Sequence, residues 1–201
     1  MEREEELLLI ERIKGGDDSL YKILVDRYSP KILSIVRGVV RNRSDAEEVA
    51  QDVFVKAYFS LKKFRGESSF STWLYRIAYN MSISKVRKKS KYVNIGDMGN
   101  FAAGEDISAS NSNEEDILNK EHKLKILDIM INELDPSDRF LLLSFYIHEK
   151  SIRELSEITG MGESNVKVKL HRIKKRLTTF ISDKDMEVTY GGDIWTKMMI
   201  Y

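Results

Sequence analysis

Ser44-Asp45-Ala46-Glu47-Glu48-Val49-Ala50-Gln51-Asp52-Val53-Phe54-Val55-Lys56-Ala57-Tyr58-Phe59-Ser60-Leu61 is the stretch on which the fold turns. Ala46, Val49, Ala50, Val53, Phe54, Ala57, Tyr58 and Leu61 fall at i, i+3, i+4, i+7, i+8, i+11, i+12 and i+15, the spacing of one helical face. Ser44 with Glu47 three residues on has the form of a capping box and predicts where this helix starts. Upstream, Leu7–Ile13 form a first apolar segment. Leu20, Ile23, Leu24 and Tyr28 form a second, and Ile32, Ile35, Val36, Val39 and Val40 a third after Pro30. Downstream, Gly66 and two serines interrupt the pattern between Lys63 and Ser69. Phe70, Trp73, Leu74, Ile77 and Met81 then predict a fifth helix that runs into Lys85, Arg87, Lys88, Lys89 and Lys91. No alternating pattern of strand length appears, so the expected fold is all-α.

Charge divides the chain more finely than its overall +1 implies. Residues 1–90 carry 18 basic and 13 acidic side chains (net +5), 91–116 carry one and six (net −5), and 117–182 carry 12 and nine (net +3). In 91–116 helical periodicity gives way to Asn, Gly, Ser and carboxylates, the composition of a flexible acidic linker. Two helical domains, 1–90 and 117–182, are therefore expected on either side of it. In the second, helices are expected at Ile117–Leu134, from Ser137 to about His148, and within Ser151–Leu177. The C-terminal extension 183–201 has no assigned role.

Composition excludes several classes. With no cysteine there are no disulfides, thiolate metal sites or cysteine nucleophiles. The acidic start lacks the basic region of a signal peptide, and no run of 18 apolar residues exists, so a cytoplasmic protein without membrane insertion is expected. His122, His148 and His171 lie on separate expected helices without metal-ligand spacing, and the glycines form no phosphate loop. No catalytic residue, metal, cofactor or small-molecule substrate is expected.

Two constellations point to nucleic acid. Seven of the chain's 19 aromatic residues, Tyr58, Phe59, Phe64, Phe70, Trp73, Tyr75 and Tyr79, precede the basic cluster. That combination suits stacking on unpaired bases and holding a phosphate backbone, although helical spacing places Trp73 in the core. Ser151–Ile173 has the spacing of a helix-turn-helix: Leu155 and Ile158 face inward, small Ser156 permits a close crossing, and Gly160 stands where the turn needs positive φ. Val166, Leu170 and Ile173 form the inner stripe of its second helix. Lys167, Lys169, Arg172, Lys174, Lys175 and Arg176 mostly project outward, toward base edges and phosphates. A third constellation concerns protein: Val55 and Phe59 fall opposite the apolar stripe of 44–61, beside Glu48 and Asp52. They either form a partner surface or are covered by another helix of the same domain.

Asp45-Ala46-Glu47-Glu48 with Gln51-Asp52-Val53-Phe54, then Phe64-Arg65-Gly66, Phe70 and Thr72-Trp73-Leu74-Tyr75-Arg76-Ile77-Ala78-Tyr79-Asn80, resemble conserved region 2 of the extracytoplasmic-function (ECF, group IV) RNA polymerase sigma factors, the small members of the sigma-70 family. Leu134-Asp135-Pro136-Ser137-Asp138-Arg139 and the helix-turn-helix ending His171-Arg172-Ile173-Lys174-Lys175-Arg176-Leu177 resemble region 4. The resemblance covers most of residues 5–180, in the family's order. It implies region 2 over 1–90 and region 4 over 117–182, the latter a helix-turn-helix (winged-helix-like) DNA-binding domain. It implies core RNA polymerase, promoter DNA and an anti-sigma factor as partners. Glu48, Gln51, Asp52, Val55 and Phe59 would meet core polymerase. Lys63, Phe64, Arg65, Gly66, Ser68, Ser69, Asn80, Arg87 and Lys88 would meet the minus-10 element, where flipping out a base costs a few kcal/mol of stacking. Lys167, Val168, His171, Arg172 and Lys175 would meet the minus-35 element, with Ser164 and Asn165 near phosphates.

Departures from the family's pattern are Gly162-Glu163 in the turn, Ser156 for the usual alanine and Ile173 where alanine is common. Two rival functions remain at this level. A helix-turn-helix regulator would bind duplex DNA without polymerase, and a sigma-like adaptor would bind protein alone.

Overall fold

The computed structural model describes residues 3–93 and 133–183. The linker expected at 91–116, most of the helix expected at Ile117–Leu134, His122 and the 183–201 extension lie almost wholly outside the described residues. Seven α-helices occur among those described: α1 (Arg3–Lys14), α2 (Tyr21–Val40), α3 (Arg43–Ser60), α4 (Phe70–Val93), α5 (Pro136–Tyr146), α6 (Ile152–Thr159) and α7 (Glu163–Asp183). No strand is present among them, so the second unit is a helix-turn-helix without a described wing.

The apolar stripe of 44–61 behaves as its spacing predicts. Ala46, Val49, Ala50, Val53, Phe54 and Ala57 of α3 are buried, as is Leu61 just beyond it. The start differs. Asn42, not Ser44, caps α3: its side chain accepts from the Asp45 N–H at 2.9 Å. Arg41 takes φ +67° to end α2, which leaves Asn42 extended and first in line for the capping role. Glu47 is occupied elsewhere, by Arg37 at 2.7 Å and Arg43 at 3.3 Å.

The second and third apolar segments are one helix, with Pro30 inside it. A proline in a helix interior removes a donor and costs about 3 kcal/mol. Here the ring is exposed, while Leu24, Tyr28, Ile32, Ile35, Val36 and Val39 bury a continuous stripe across it. Each fully buried aliphatic side chain contributes about 1.5–3 kcal/mol, so the five here outweigh the break even without Tyr28.

The aromatic cluster is mostly core. Phe70 and Tyr75 are buried, and Phe64 (3% exposed) lies 5.8 Å from Phe70 and 5.3 Å from Trp73, ring centre to centre. Large apolar rings at helical spacing gain more from leaving water than from waiting for a base. Phe64 therefore supports the 64–69 loop from beneath instead of presenting a stacking face.

The two units pack directly on each other. Helix α4 buries one face in the first unit and gives another to the second, where Tyr79 meets Phe140 at 5.0 Å and Tyr75 meets His148 at 5.7 Å. Helix α5 is buried on nearly all sides through Phe140, Leu141, Leu142 and Leu143, because it lies between the first unit and α7. Polar bonds border this apolar seam. Lys150 donates to Ser71 at 3.0 Å and to Glu154 at 2.8 Å, and its ammonium lies 4.9 Å from the Tyr75 ring centre.

Candidate nucleic-acid and partner interface

Helix α3 carries the first candidate surface. Burying its stripe turns Gln51, Asp52, Val55 and Phe59 to solvent, with Val55 53% and Phe59 77% exposed. Among the described residues no helix covers them. Tyr58 braces Phe59 edge-on at 5.6 Å and is itself held by Tyr21 at 5.1 Å, whose hydroxyl donates to the Phe54 carbonyl at 2.7 Å. Phe59 is thus an exposed apolar side chain on a rigid base, the form of a binding anchor.

Glu48 lies apart from that group in one respect. It is exposed but accepts from Lys85 of α4 at 2.7 Å, and Lys85 also lies 3.2 Å from Asp45, which pairs with Lys89 at 2.9 Å. Lys89, with Lys85, holds the Asp45 carboxyl below its ordinary range against the opposing effect of burial. Glu48, then Asp45, holds the Lys85 ammonium above its ordinary range. Two of the five basic residues expected to hold a phosphate backbone, Lys85 and Lys89, are therefore spent fastening α4 to α3. Arg87 and Lys88 remain exposed, as does Asn80 on the same helix.

The loop between α3 and α4 is the second candidate surface. Lys63 and Arg65 are exposed, whereas Gly66 (φ +73°), Ser68 and Ser69 are half-buried. Ser69 caps α4: its hydroxyl oxygen accepts from the Thr72 N–H at 3.0 Å and lies 2.8 Å from the Thr72 hydroxyl. Two groups from α1 reach the loop backbone. Lys14 donates to the Phe64 carbonyl at 2.7 Å and Arg3 to the Gly66 carbonyl at 3.5 Å. Sequence reasoning missed both, since contacts 50 and 63 residues apart leave no local pattern.

The third surface is the helix-turn-helix. Ser151 and Glu154 form a reciprocal capping box at the start of α6. Gly160 ends α6 with φ +75°, a left-handed conformation that side chains with a Cβ resist, which is why the turn can be this tight. The Ser156 hydroxyl donates to the Met161 carbonyl at 2.6 Å, so the serine fastens the turn as well as being small. Val166, Leu170, Ile173 and Leu177 bury one side of α7. Ser164, Asn165, Lys167, Val168, His171, Arg172 and Lys175 are all exposed, the first helical turns carrying the uncharged members. Lys169 does not project outward: it pairs with Asp138 of α5 and donates to Ser137 at 3.3 Å. Arg176 donates to the Glu133 carbonyl at 3.3 Å.

The family model for Sigma-70 region 2 matches residues 24–92, and that for Sigma-70, region 4 matches 124–177. The ECF RNA polymerase sigma factor SigW of Bacillus subtilis (strain 168) is 30% identical over 178 residues, 87% of this chain and 95% of SigW. The chain belongs to the ECF sigma factors of the sigma-70 family.

As an ECF sigma factor it is a transcription initiation factor that directs RNA polymerase to promoters, and sigma factors as a family are not enzymes. Two solved structures share its fold. CnrH, in complex with the cytosolic domain of CnrY, matches with TM-score 0.64 at 20% identity, covering 89% of this chain and 97% of its own. The Bartonella quintana sigma factor RpoE, crystallised with the anti-sigma factor NepR, matches with TM-score 0.65 at 21% identity, covering 81% and 96%. Among the described residues no helix is long and apolar enough to cross a membrane, and no group of His, Cys, Asp and Glu could hold a metal.

Proposed function

We propose that this ECF sigma factor divides its work among the three surfaces. Residues 1–90 act as the polymerase-binding and minus-10 domain, and 117–182 as the minus-35 domain. Gln51, Asp52, Val55 and Phe59 on α3 grip core RNA polymerase, with Glu48 at the margin because Lys85 already engages it. The 63–69 loop receives a flipped minus-10 base: Lys63, Arg65, Gly66, Ser68 and Ser69 meet the strand, Phe64 shapes the loop from within, and Asn80, Arg87 and Lys88 continue along the unpaired backbone. Lys167, Val168, His171, Arg172 and Lys175 read the minus-35 major groove, with Ser164 and Asn165 on phosphates at the start of α7. The chain supplies positioning, and the polymerase supplies the chemistry. The protein acts in the cytoplasm, where polymerase and chromosome meet.

The observation that carries this reading is the exposed, braced Phe59 beside Asp52 and Gln51. A regulator that binds duplex DNA without polymerase has no use for such an anchor, and a protein-binding adaptor has none for the exposed Lys167, Arg172 and Lys175 on α7. An anti-sigma partner belongs to the proposal because RpoE of matching fold was solved with one.

The test is equilibrium binding of core polymerase to the wild type and to an Asp52→Ala/Phe59→Ala double variant. Weakened affinity with unchanged helical content and melting temperature is expected. Wild-type affinity in the double variant would remove α3 from the interface.

A further inference from the structure

Helix α1 lies before the region 2 match, which begins at residue 24, yet it contributes to the loop we assign to the minus-10 element. Its own placement is firm. Ile10 and Ile13 are buried in the core, and the buried Glu6 carboxylate accepts from the Tyr28 hydroxyl at 2.5 Å. From that anchorage α1 touches the loop three times. Lys14 donates to the Phe64 carbonyl at 2.7 Å, with its ammonium 5.8 Å from the Phe64 ring centre. Arg3 donates to the Gly66 carbonyl at 3.5 Å. Leu7 lies beneath Gly66, its Cδ2 3.5 Å from where a Cβ would stand.

We propose that α1 is a structural part of the minus-10 site and that Lys14 is its positioning residue, holding the loop in its base-receiving shape before DNA arrives. The inference rests on the loop assignment under Proposed function.

Loops without regular structure are the segments that open most readily, and a ligand that must order one loses affinity to that ordering. Lys14 fixes the point where the chain leaves the core. Phe64 is buried there, while Arg65, one residue on, has a side chain 83% exposed. Fixing the Phe64 carbonyl therefore sets the direction in which Arg65 and Ser68 leave.

Lys14 is poorly suited to be a phosphate contact itself. Its side chain is only 18% exposed, and its ammonium is paired with Glu11 at 2.8 Å as well as with the carbonyl. It acts through the loop, not on the strand.

Lys14→Met keeps most of the stem's length and apolar contact but removes the donor. Holoenzymes reconstituted with wild type, Lys14→Met and Lys14→Arg are compared on a parent promoter and on versions with single minus-10 substitutions. Core affinity and melting temperature are measured in parallel. Loss of one net hydrogen bond predicts that Lys14→Met lowers minus-10 discrimination about 2- to 10-fold. Core affinity and the response to minus-35 substitutions should stay at wild-type values, and Lys14→Arg, which keeps a donor, should recover part of the discrimination. Full discrimination by Lys14→Met overturns the inference alone. So does a fall in core affinity and melting temperature with discrimination intact, which would make Lys14 a folding residue. A wild type indifferent to every minus-10 substitution overturns the loop assignment and this inference with it.

Discussion

Thr72, at the start of α4, donates its hydroxyl to the Glu154 carboxylate of the helix-turn-helix at 3.1 Å. The bond joins the cap of α4 to the cap of α6, the first helix of the helix-turn-helix, since Ser69 also meets Thr72 and Ser151 also meets Glu154. Region 4 is therefore fastened at the shoulder of the loop assigned to the minus-10 base.

Thr72→Val keeps the shape and removes the hydroxyl, leaving Glu154 with Lys150 and Ser151. A lost bond to a charged acceptor predicts destabilisation of about 1.5–3 kcal/mol. Glu154→Gln should cost less in the Thr72→Val background than in the wild type, because the pair is coupled. Denaturant unfolding of the four proteins measures this, and strictly additive effects would remove the coupling.

Gly38 lies inside α2, where glycine costs about 1 kcal/mol relative to alanine. Its place is explained across the seam: a Cβ there would stand 2.3 Å from Leu143 Cδ1 of α5. Gly38→Ala should therefore destabilise the intact chain by about 1–3 kcal/mol, the usual effect of overpacking. In a Leu143→Ala background the same change should become neutral or stabilising, as helix propensity is left to act alone. Melting curves of the double-mutant set decide it. A Gly38→Ala protein that melts above the wild type, with Leu143 intact, would mean the seam is looser than described.

His148 sits half-buried against Tyr75. Burial, then the nearby Lys31 and Lys150 ammonium groups, lower its pKa from 6.5 to about 4. Between those values the unfolded chain binds the proton that the folded chain rejects, so stability should fall as pH drops from 6.5 toward 4. His148→Gln should flatten that slope. Denaturant midpoints at pH 7 and pH 5 for both proteins measure it, and parallel slopes would mean that His148 titrates normally in the fold. Asp45, held low by Lys89 and Lys85, contributes with the same sign but in a lower window: its stabilisation is lost as pH falls through and below the ordinary carboxylate range.

Much of the fold was legible because single helices obey local rules. The α3 stripe and its exposed opposite face, Gly160 at the turn and the inner stripe of α7 all follow from spacing within one element. What escaped depends on distant parts of the chain. Pro30 looked like a boundary, but the core on both sides of it carries the helix through. Ser44 and Asn42 could both cap, and the left-handed Arg41 chose between them. The aromatic cluster carried the right signal with the wrong meaning, since Phe64, Phe70 and Tyr75 build the site's foundation and not its surface. Lys85, Lys89 and Lys169 looked free for phosphates, but acidic partners on neighbouring helices engage them. The docking of the two units has no linear signature, because α4, α5 and α6 meet across a linker.

The central claim is that this chain selects promoters only through core polymerase, reading two elements with two surfaces. The most direct measurement is transcription from a library of randomised upstream sequences, by core polymerase with and without the chain. Transcripts should arise only with the chain, from templates sharing two short motifs at fixed spacing, one at minus-10 and one at minus-35. Initiation without sequence preference, or tight selective binding of duplex DNA by the chain in the absence of core polymerase, would contradict it.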